Sequence, residues 1–376
     1  MNQIDESSRR FLNTNVALAQ AAARWRGVVG FDTEFIRTNT FFAIPGLYQL
    51  AGTGFSDLVD PIPIDDWAPF ENFLRDESTI VMHSCSEDLE LLNSHLGVAP
   101  SQLFDTQIAY AFVSPTYSAS YATLVDAYFD VALDKGATRS NWLQRPLSDT
   151  QVHYAHLDVA YLVPLYEELS EQLELAGRRE WCIEEMQQRC RYLHSDPQQY
   201  YVGVSGAWRL DQRALGALRA LCSWREAKAR TENVPRSKIL KDEQLYAVAQ
   251  LPTLTLDDLR ALIPSASCKR YGAQLLEEHA AGSGLLDDLA TLPKPFSSTE
   301  NKLIKALRTV ARERAEQLGL APELLARKRE VEAYARLAFD TPRELHNYGN
   351  WRAELVGDDF LAIMAKGGAR AAQDAP

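Results

Sequence analysis

Hydrophobic and polar positions in the first two hundred residues predict strands that come to alternate with helices. Short apolar runs, bounded by Gly, Pro or polar residues, predict strands at residues 27–35, 47–52, 57–61, 79–83 and 103–106. Helical spacing of apolar residues predicts helices at residues 6–25, 66–75, 84–96, 107–113, 148–175, with a bend at Pro164, and 181–193. The closely spaced first strands predict an antiparallel meander. The whole pattern predicts a mixed α/β sheet with helices packed on it.

The pattern changes after residue 203, where strand-like alternation ends. Helical spacing predicts helices at residues 210–228, 245–250, 256–261, 271–279, 300–318, 321–338 and 350–365. Residues 282–284 and 293–295 are rich in Gly and Pro and predict a linker between two helical groups. We therefore predict three domains: an α/β domain at residues 1–203 and two small all-helical domains at residues 204–285 and 292–376.

The composition is that of a globular protein, with 46% hydrophobic and 24% charged residues among 376. No apolar run approaches the roughly 20 residues that span a membrane, and the N-terminus lacks the basic and apolar regions of a signal peptide. The five cysteines are scattered and form no CxxC pair, which indicates neither a zinc site nor a disulfide framework. We expect a monomer without a membrane partner in a reducing cytoplasm.

The net charge of −12 is unevenly distributed along the chain. Residues 1–205 contain 13 Lys/Arg against 28 Asp/Glu, a net charge of −15, whereas residues 206–376 contain 26 against 23, a net charge of +3. This asymmetry fits a metal-dependent front part joined to a part that contacts a polyanion, and it also fits simple solubility. Basic residues cluster at Arg225, Lys228, Arg236 and Lys238. They would suit a phosphate backbone or, alternatively, a solvated helix face.

Two carboxylates lie near the end of the first predicted strand. Asp32 and Glu34 are two residues apart, so their side chains share one face of the strand. Acids beside buried apolar residues are costly unless a positive partner, commonly a divalent cation, compensates them. The alternative is a strand end whose acids lie in water. Taken alone, this pair does not decide between the two.

Further acidic and phenolic residues fall at positions where they can join that pair. Asp88 begins the helix after strand 79–83, at the carboxyl edge of the sheet where α/β proteins present functional groups. Tyr154 and Asp158 are four residues apart, so they share one helix face. Asp105 also ends a strand, but its position favours a structural role as the N-cap of the next helix.

Three segments in this order resemble the exonuclease motifs of the DEDD superfamily, in the subgroup with a tyrosine in the third motif: Phe31-Asp32-Thr33-Glu34-Phe35, His83-Ser84-Cys85-Ser86-Glu87-Asp88 and Tyr154-Ala155-His156-Leu157-Asp158. Residues 143–148 and 159–162 resemble the ribonuclease D family in particular. Residues 218–226 and 233–240 resemble the HRDC domain, and residues 350–355 resemble it more distantly. The resemblance covers nearly the whole chain. It implies an α/β exonuclease domain with a ribonuclease H-like mixed sheet, followed by two small all-α HRDC-like helical domains.

The resemblance also implies a reaction: 3′→5′ exonucleolytic hydrolysis with two divalent metal ions, Mg²⁺ or Mn²⁺. Asp32, Glu34 and Asp158 would share one ion, while Asp32 and, largely through water, Asp88 would hold the other. Tyr154 would orient the attacking water. The expected substrates are the 3′ ends of precursor tRNA and other small structured RNAs, and the expected products are nucleoside 5′-monophosphates.

Three residues beside the motifs are candidate contacts to the terminal nucleotide: Phe35 through its ring, Gln49 through its amide, and His83. Each has a structural alternative as a core or rim residue. Two alternative functions remain for the chain, a DNA 3′→5′ exonuclease and a non-catalytic nucleic-acid-binding scaffold. No Walker-type GxxxxGK occurs in the sequence, so no ATP-driven motor is indicated. The presence of all four carboxylates and the tyrosine favours an enzyme.

Overall fold

The computed structural model describes residues 8–133, 140–191, 196–284, 289, 291–340 and 350–371. The chain forms two compact units. The first comprises Met1–Phe35, Pro45–Arg191 and Phe296–Pro376, and the second comprises Ile36–Ile44 and Tyr192–Pro295. Among the described residues, no helix combines the length and the apolar character needed to cross a membrane.

A six-stranded sheet lies in the first unit, with the strand order β1-β4-β3-β2-β5-β6. Its strands are β1 (Arg9–Leu12), β2 (Val28–Ile36), β3 (Ile44–Gly52), β4 (Phe55–Val59), β5 (Thr79–Met82) and β6 (Gln102–Asp105). β3 and β4 are antiparallel, whereas β1 and β4, β2 and β5, and β5 and β6 are parallel. The predicted mixed sheet is confirmed, and β2, which carries Asp32 and Glu34, is one of its central strands.

The first element differs from the prediction, because residues 9–12 form a strand and not the start of a helix. β1 pairs in parallel with β4. Helix α1 (Asn15–Ala22) begins only after Thr14, whose hydroxyl accepts a hydrogen bond from the Ala17 backbone. Arg10 on β1 donates hydrogen bonds of 2.7 and 2.5 Å to the buried carboxylate of Asp57 on β4. Such pairing is a long-range contact that local spacing does not reveal.

Helices flank the sheet: α2 (Ala68–Arg75), α3 (Ser86–Leu96), α4 (Thr106–Val113), α5 (Tyr121–Phe129), α6 (Asp149–Ala160), α7 (Leu162–Leu175) and α8 (Arg179–Arg191). The continuous helix predicted over residues 148–175 is two helices that meet at Tyr161. Because a proline ring clashes with the carbonyl four residues before it, Pro164 disfavours an unbroken helix here. The Tyr161 backbone N–H instead donates to the hydroxyl of Tyr121 at 2.9 Å. Helix α5 has no predicted counterpart.

After residue 203 the second unit is helical, as predicted. It contains short 3₁₀ helices at Pro197–Gly203 and Ala207–Arg209, then α9 (Gln212–Thr231), α10 (Arg236–Ile239), α11 (Asp242–Gln250), α12 (Leu256–Leu262) and α13 (Ser265–Gly284). Residues 282–284 belong to α13, so the linker prediction was wrong there. A Cβ atom on Gly282 would lie 2.5 Å from the Gly216 carbonyl oxygen. The glycine at 282 therefore serves the close approach of α9 and α13.

Four helices end the described chain: α14 (Ser298–Leu318), α15 (Pro322–Ala326), α16 (Lys328–Asp340) and α17 (Asn350–Ala371). They pack with the sheet-containing part of the first unit. The Ala321 backbone N–H donates to the Ala111 carbonyl at 2.9 Å, and the Phe112 and Trp351 ring centroids are 5.1 Å apart. The three-domain division at residues 1–203, 204–285 and 292–376 stays a prediction.

Candidate active site

Asp32 and Glu34 project from one face of β2, and both are half-buried. The face is identified by Gly30, because residues 30, 32 and 34 of a strand point the same way. A Cβ atom on Gly30 would lie 2.8 Å from Leu162 Cβ and 3.2 Å from the Val159 carbonyl oxygen. The two acids therefore lie on the side of the sheet that packs against the junction of α6 and α7.

Helix α6 carries Tyr154 and Asp158 to this side of the sheet. Its first turn is fixed by Ser148, whose hydroxyl accepts a hydrogen bond of 3.2 Å from the Gln151 backbone. Tyr154 hydrogen-bonds to the Asp158 carboxylate, and this bond opposes the rise that burial causes in the pKa of Asp158. The Oδ2 atom of Asp158 is buried and has no hydrogen-bond partner among the described residues. A buried carboxylate oxygen without a donor is unfavourable, so this oxygen would gain from a cation.

Asp88 reaches the site from α3 and is only 8% exposed. The hydroxyl of Thr33 donates to Asp88 Oδ1 at 2.5 Å. Thr33 lies between Asp32 and Glu34 on β2. The strand β2 therefore carries Asp32 and Glu34 and also positions Asp88. Thr33 was missed from the sequence, although its position between the two acids was the available signal.

The four carboxylates act on one another electrostatically. Burial raises the pKa of Asp32 well above its ordinary value, and three neighbouring charges raise it further, those of Asp88, Asp158 and Glu34. Burial, then the charges of Asp158 and Asp88, raise the pKa of Glu34 to about 8. Burial raises the pKa of Asp158 to about 7, and it raises the pKa of Asp88 to about 6 against the opposing hydrogen bond from Thr33. The four acids form one cluster that retains protons near neutral pH without a cation.

The donor set suits a hard divalent cation such as Mg²⁺ or Mn²⁺, since its atoms are carboxylate oxygens. Neighbouring carboxylates raise the pKa values of Asp32 and Glu34, and Oδ2 of Asp158 is buried without a hydrogen-bond donor. Both observations indicate that the site lacks a positive charge. In the part of the chain that the structure describes, no three His, Cys, Asp or Glu side chains are already grouped to hold one ion. The fit to the ion therefore rests on the donor atoms and the charge of these residues, and not on a preformed set of ligands.

Asp105 is buried and structural, as its position predicted. Its carboxylate accepts hydrogen bonds from the Gln107 and Ile108 backbones at 2.9 and 3.2 Å, which caps α4. It also accepts from the Ser84 and Cys85 backbones at 3.1 and 3.0 Å. Asp105 therefore fixes the turn that leads into α3, the helix that carries Asp88.

The three predicted nucleotide contacts occupy different environments. Phe35 is half-buried and follows Glu34 on β2. Gln49 is 0% exposed, and neither polar atom of its amide has a hydrogen-bond partner among the described residues. His83 uses both ring nitrogens, Nδ1 with the Thr106 hydroxyl at 2.9 Å and Nε2 with the Ala119 carbonyl at 3.1 Å. These contacts support the structural alternative for His83.

The two arginines predicted to contact phosphate form ion pairs with carboxylates of the same chain. Arg225 is 5% exposed, and its Nη1 lies 2.6 Å from a carboxylate oxygen of Asp242. Arg236 forms an ion pair with the buried carboxylate of Glu226 and lies 4.9 Å from the Phe41 ring centroid. Both guanidinium groups are committed within the second unit.

The two lysines of the same predicted cluster are more accessible. Lys228 is half-buried and Lys238 is exposed. Neither forms an ion pair with another described residue, so the pair can neutralise phosphates. Their role as nucleic-acid contacts stays a prediction.

Trp142 and Arg145 also bear on the site, although sequence reasoning gave neither a role. The Trp142 ring is 2% exposed, and its centroid lies 6.2 Å from that of Tyr154. Arg145 donates to the Trp142 carbonyl at 2.8 Å. The sequence signal available was the stretch 143–148. It resembles the ribonuclease D family, but no role in the site was assigned to it.

Known proteins match both parts of the chain. Residues 9–174 match the family model for a 3′-5′ exonuclease, and residues 214–278 match the HRDC domain. The ribonuclease D of Pseudomonas paraeruginosa is 36% identical over 368 residues, which cover 94% of this chain and 97% of that protein. The chain belongs to the ribonuclease D family. Escherichia coli ribonuclease D is 34% identical over 334 residues, covering 86% of this chain and 88% of that protein.

The crystal structure of Escherichia coli ribonuclease D has the same fold. Its TM-score is 0.85 at 30% identity, and the match covers 97% of this chain and 99% of that one. The family resemblance and the fold class expected from the sequence are therefore confirmed. As a member of the ribonuclease D family, the chain is a nuclease, a hydrolase of phosphodiester bonds, with a mixed-sheet exonuclease domain and a helical HRDC region.

Proposed function

We propose that the chain is a metal-dependent 3′→5′ exoribonuclease that trims precursor tRNA and other small structured RNAs and releases nucleoside 5′-monophosphates. The observation that carries this proposal is the cluster of Asp32, Glu34, Asp88 and Asp158, drawn from three elements, with Tyr154 bonded to one member. Escherichia coli ribonuclease D is an exoribonuclease involved in structured RNA processing. That relationship supports the choice of RNA as substrate.

Two divalent ions, Mg²⁺ or Mn²⁺, would be held by the carboxylates. Asp32, Glu34 and Asp158 would hold one, and Asp32 with Asp88 would hold the other. Such ions, when bound, acidify the attacking water and stabilise the leaving 3′ oxygen. Asp32 is the shared ligand in this assignment, and its pKa responds to the charges of all three other acids.

Tyr154 would place the attacking water. A phenol has an ordinary pKa of about 10, so it is a weak base at neutral pH. We therefore assign Tyr154 a positioning role, with at most transient acceptance of the proton. The bond to Asp158 holds its hydroxyl beside the carboxylates, and the Trp142 ring lies against its own ring.

Substrate selection would depend on backbone and stacking contacts. Lys228 and Lys238 would neutralise phosphates, which carry no sequence information. Phe35 would stack on the terminal base, a contact that tolerates every base. Both features suit an enzyme that chooses RNA 3′ ends by accessibility. We include in the proposal a monomer in a reducing cytoplasm, in keeping with free thiols at all five cysteines.

A trimming assay tests the proposal. The protein is incubated with Mg²⁺ and either a 3′-extended tRNA or a single-stranded DNA of matched length, alongside the variants Asp32→Asn and Asp126→Asn. Asp126 is an exposed acid on α5 and provides the matched control. Stepwise shortening of the tRNA that only Asp32→Asn abolishes supports the proposal. Equal digestion of DNA favours the DNA exonuclease, and RNA binding without cleavage favours the scaffold.

A further inference from the structure

One face of α14 carries a row of four basic side chains. Lys302, Lys305, Arg308 and Arg312, here called the α14 cation row, are all exposed. At about 100° per residue they fall within an arc of about 120°, and they extend over about 15 Å of helix. The buried side of the same helix contributes its apolar residues to the core: Ile304, Leu307, Ala311 and Ala315.

The members of the α14 cation row are not neutralised by the surrounding structure. Within the described ranges, none of the four side chains makes an ion pair or a hydrogen bond. Arg314 on the same helix differs, since it donates to the Leu355 carbonyl at 3.1 Å. Of the acids on α14, Glu300 accepts from the Ser297 backbone at 2.6 Å at the first turn. Glu313 directly follows Arg312 and Glu316 lies one turn beyond it, but neither forms an ion pair with the row within the described residues.

The position of the row is fixed relative to the carboxylate cluster. The helices after residue 296 belong to the same compact unit as β2, α3 and α6. Arg178 of the first unit donates to the Leu318 carbonyl, at the last residue of α14. Cations on this helix are therefore held on the same compact unit as the carboxylates.

We propose that the α14 cation row binds the phosphate backbone of the RNA whose 3′ end enters the active site. The inference rests on the proposed function. The chain has a net charge of −12, so a polyanion is repelled by most of the molecule and is attracted where cations are free of partners. A row of about 15 Å can meet several consecutive phosphates of one strand. Lysine suits a backbone of variable geometry as a compact point charge, and arginine adds paired hydrogen bonds to phosphate oxygens.

The test measures affinity separately from cleavage. Binding of a fluorescent 3′-extended tRNA is followed by anisotropy in the Asp32→Asn background, without divalent metal, over a salt series. The row variant replaces all four cations with glutamine: Lys302→Gln, Lys305→Gln, Arg308→Gln and Arg312→Gln. The control variant removes as many charges from exposed arginines already in ion pairs: Arg75→Gln, Arg179→Gln, Arg260→Gln and Arg270→Gln.

We expect the row variant to bind the tRNA at least about tenfold more weakly at about 0.1 M salt. The slope of log K against log salt should become shallower by up to about 3, since each phosphate contact to a single strand contributes about 0.7. The control variant should keep the affinity and the slope. The single variant Arg308→Gln should change the slope by about 0.7, which keeps the test readable if the fourfold variant folds poorly.

Several outcomes would overturn the proposal. Equal weakening in the row and control variants would show a general effect of net charge. Unchanged affinity in the row variant would show that the RNA passes elsewhere. Weaker binding of heparin, a polyanion without bases, together with unchanged tRNA binding, would assign the row to a different class of partner. Each of these results can occur while the enzyme still trims tRNA, so failure here is distinguishable from failure of the proposed function.

Discussion

Arg145 and Asp60 are joined by two parallel hydrogen bonds, from Nε to Oδ2 at 2.7 Å and from Nη2 to Oδ1 at 2.6 Å. Asp60 is only 4% exposed. The same guanidinium donates to the Gly46 carbonyl at 2.7 Å and to the Trp142 carbonyl at 2.8 Å. One ion pair therefore fixes the loop that carries Trp142 to the start of β3, on the side of the sheet where Tyr154 lies.

We expect Asp60→Asn to destabilise the protein by about 3 kcal/mol, because it leaves the charge of Arg145 largely buried without its partner. Urea unfolding measures the change. The matched control is Glu174→Gln, which breaks a pair with Arg179 that is about half exposed on both sides and should cost about 0.5 kcal/mol or less. Similar losses for the two variants would contradict the role given to the buried pair.

Arg145→Met should slow RNA trimming through Tyr154. With the guanidinium gone, the Trp142 carbonyl loses a donor, and the buried Trp142 ring is held less firmly against the Tyr154 ring. Single-turnover trimming is measured for Arg145→Met, Tyr154→Phe and the double variant. If Arg145 acts through the tyrosine hydroxyl, its loss has little further effect in the Tyr154→Phe background. Fully additive effects would assign Arg145 to stability alone.

Thr33→Val should impair the site by releasing Asp88. The variant keeps the shape of the side chain but removes the hydroxyl that donates to Asp88 Oδ1 at 2.5 Å. Loss of a hydrogen bond to a charged group costs about 1.5–3 kcal/mol, so we expect weaker binding of divalent metal, measured by titration calorimetry with Mn²⁺. Thr33→Ser retains the hydroxyl and should restore the affinity. Equal weakening by both substitutions would show that only packing matters.

The sequence predicted those parts of the site that depend on local spacing. Alternation placed Asp32 and Glu34 on one strand face, and the four-residue separation placed Tyr154 beside Asp158, where the two are hydrogen-bonded. The N-cap position of Asp105 also followed from its neighbours. Each of these relationships lies within a single element, so the chain's own periodicity determines it.

Relationships between distant segments could not be predicted in this way. The strand β1 exists because β4 pairs with it, and the Arg145–Asp60 contact joins positions 85 residues apart. The basic cluster illustrates the same limit. Spacing alone groups Arg225 with Lys228, but only the fold shows that Arg225 is buried against Asp242 while the cations of α14 stay exposed. Charge in a sequence therefore predicts a binding surface only after its intramolecular partners are known.

The raised pKa values predict that Asp32→Asn stabilises the metal-free protein at high pH. The unfolded acids titrate at about pH 4, whereas Asp88, Asp158 and Glu34 titrate at about 6, 7 and 8 in the folded protein. Between about pH 4 and pH 8 these acids bind more protons in the folded state than in the unfolded state. Their contribution to the free energy of unfolding therefore falls as the pH rises across that window. Above about pH 8 Glu34, Asp158 and Asp88 are ionised, and the repulsion among these three remains.

Chemical unfolding across this pH range, with a chelator present, measures the effect. Burial and the charges of the three other acids raise the pKa of Asp32 itself, and Asp32→Asn removes this unfavourable ionisation, so its stability relative to the wild type should increase with pH. Asp126→Asn removes an exposed charge and should show no such trend. A constant difference between Asp32→Asn and the wild type at every pH would mean that the carboxylates are not coupled in this way.

Divalent metal should raise the melting temperature more at about pH 8 than at about pH 6. At the lower pH, protons on Glu34 and Asp158, whose folded pKa values are about 8 and 7, compete with the ion; at the higher pH the free charges favour it. An ion that binds only the folded state at 100 times its Kd adds about 2.7 kcal/mol. Thermal scans with Mg²⁺ or Mn²⁺ test this, and Asp32→Asn should lose most of the shift. The same shift in that variant, or a larger shift at the lower pH, would place the bound ion away from these carboxylates.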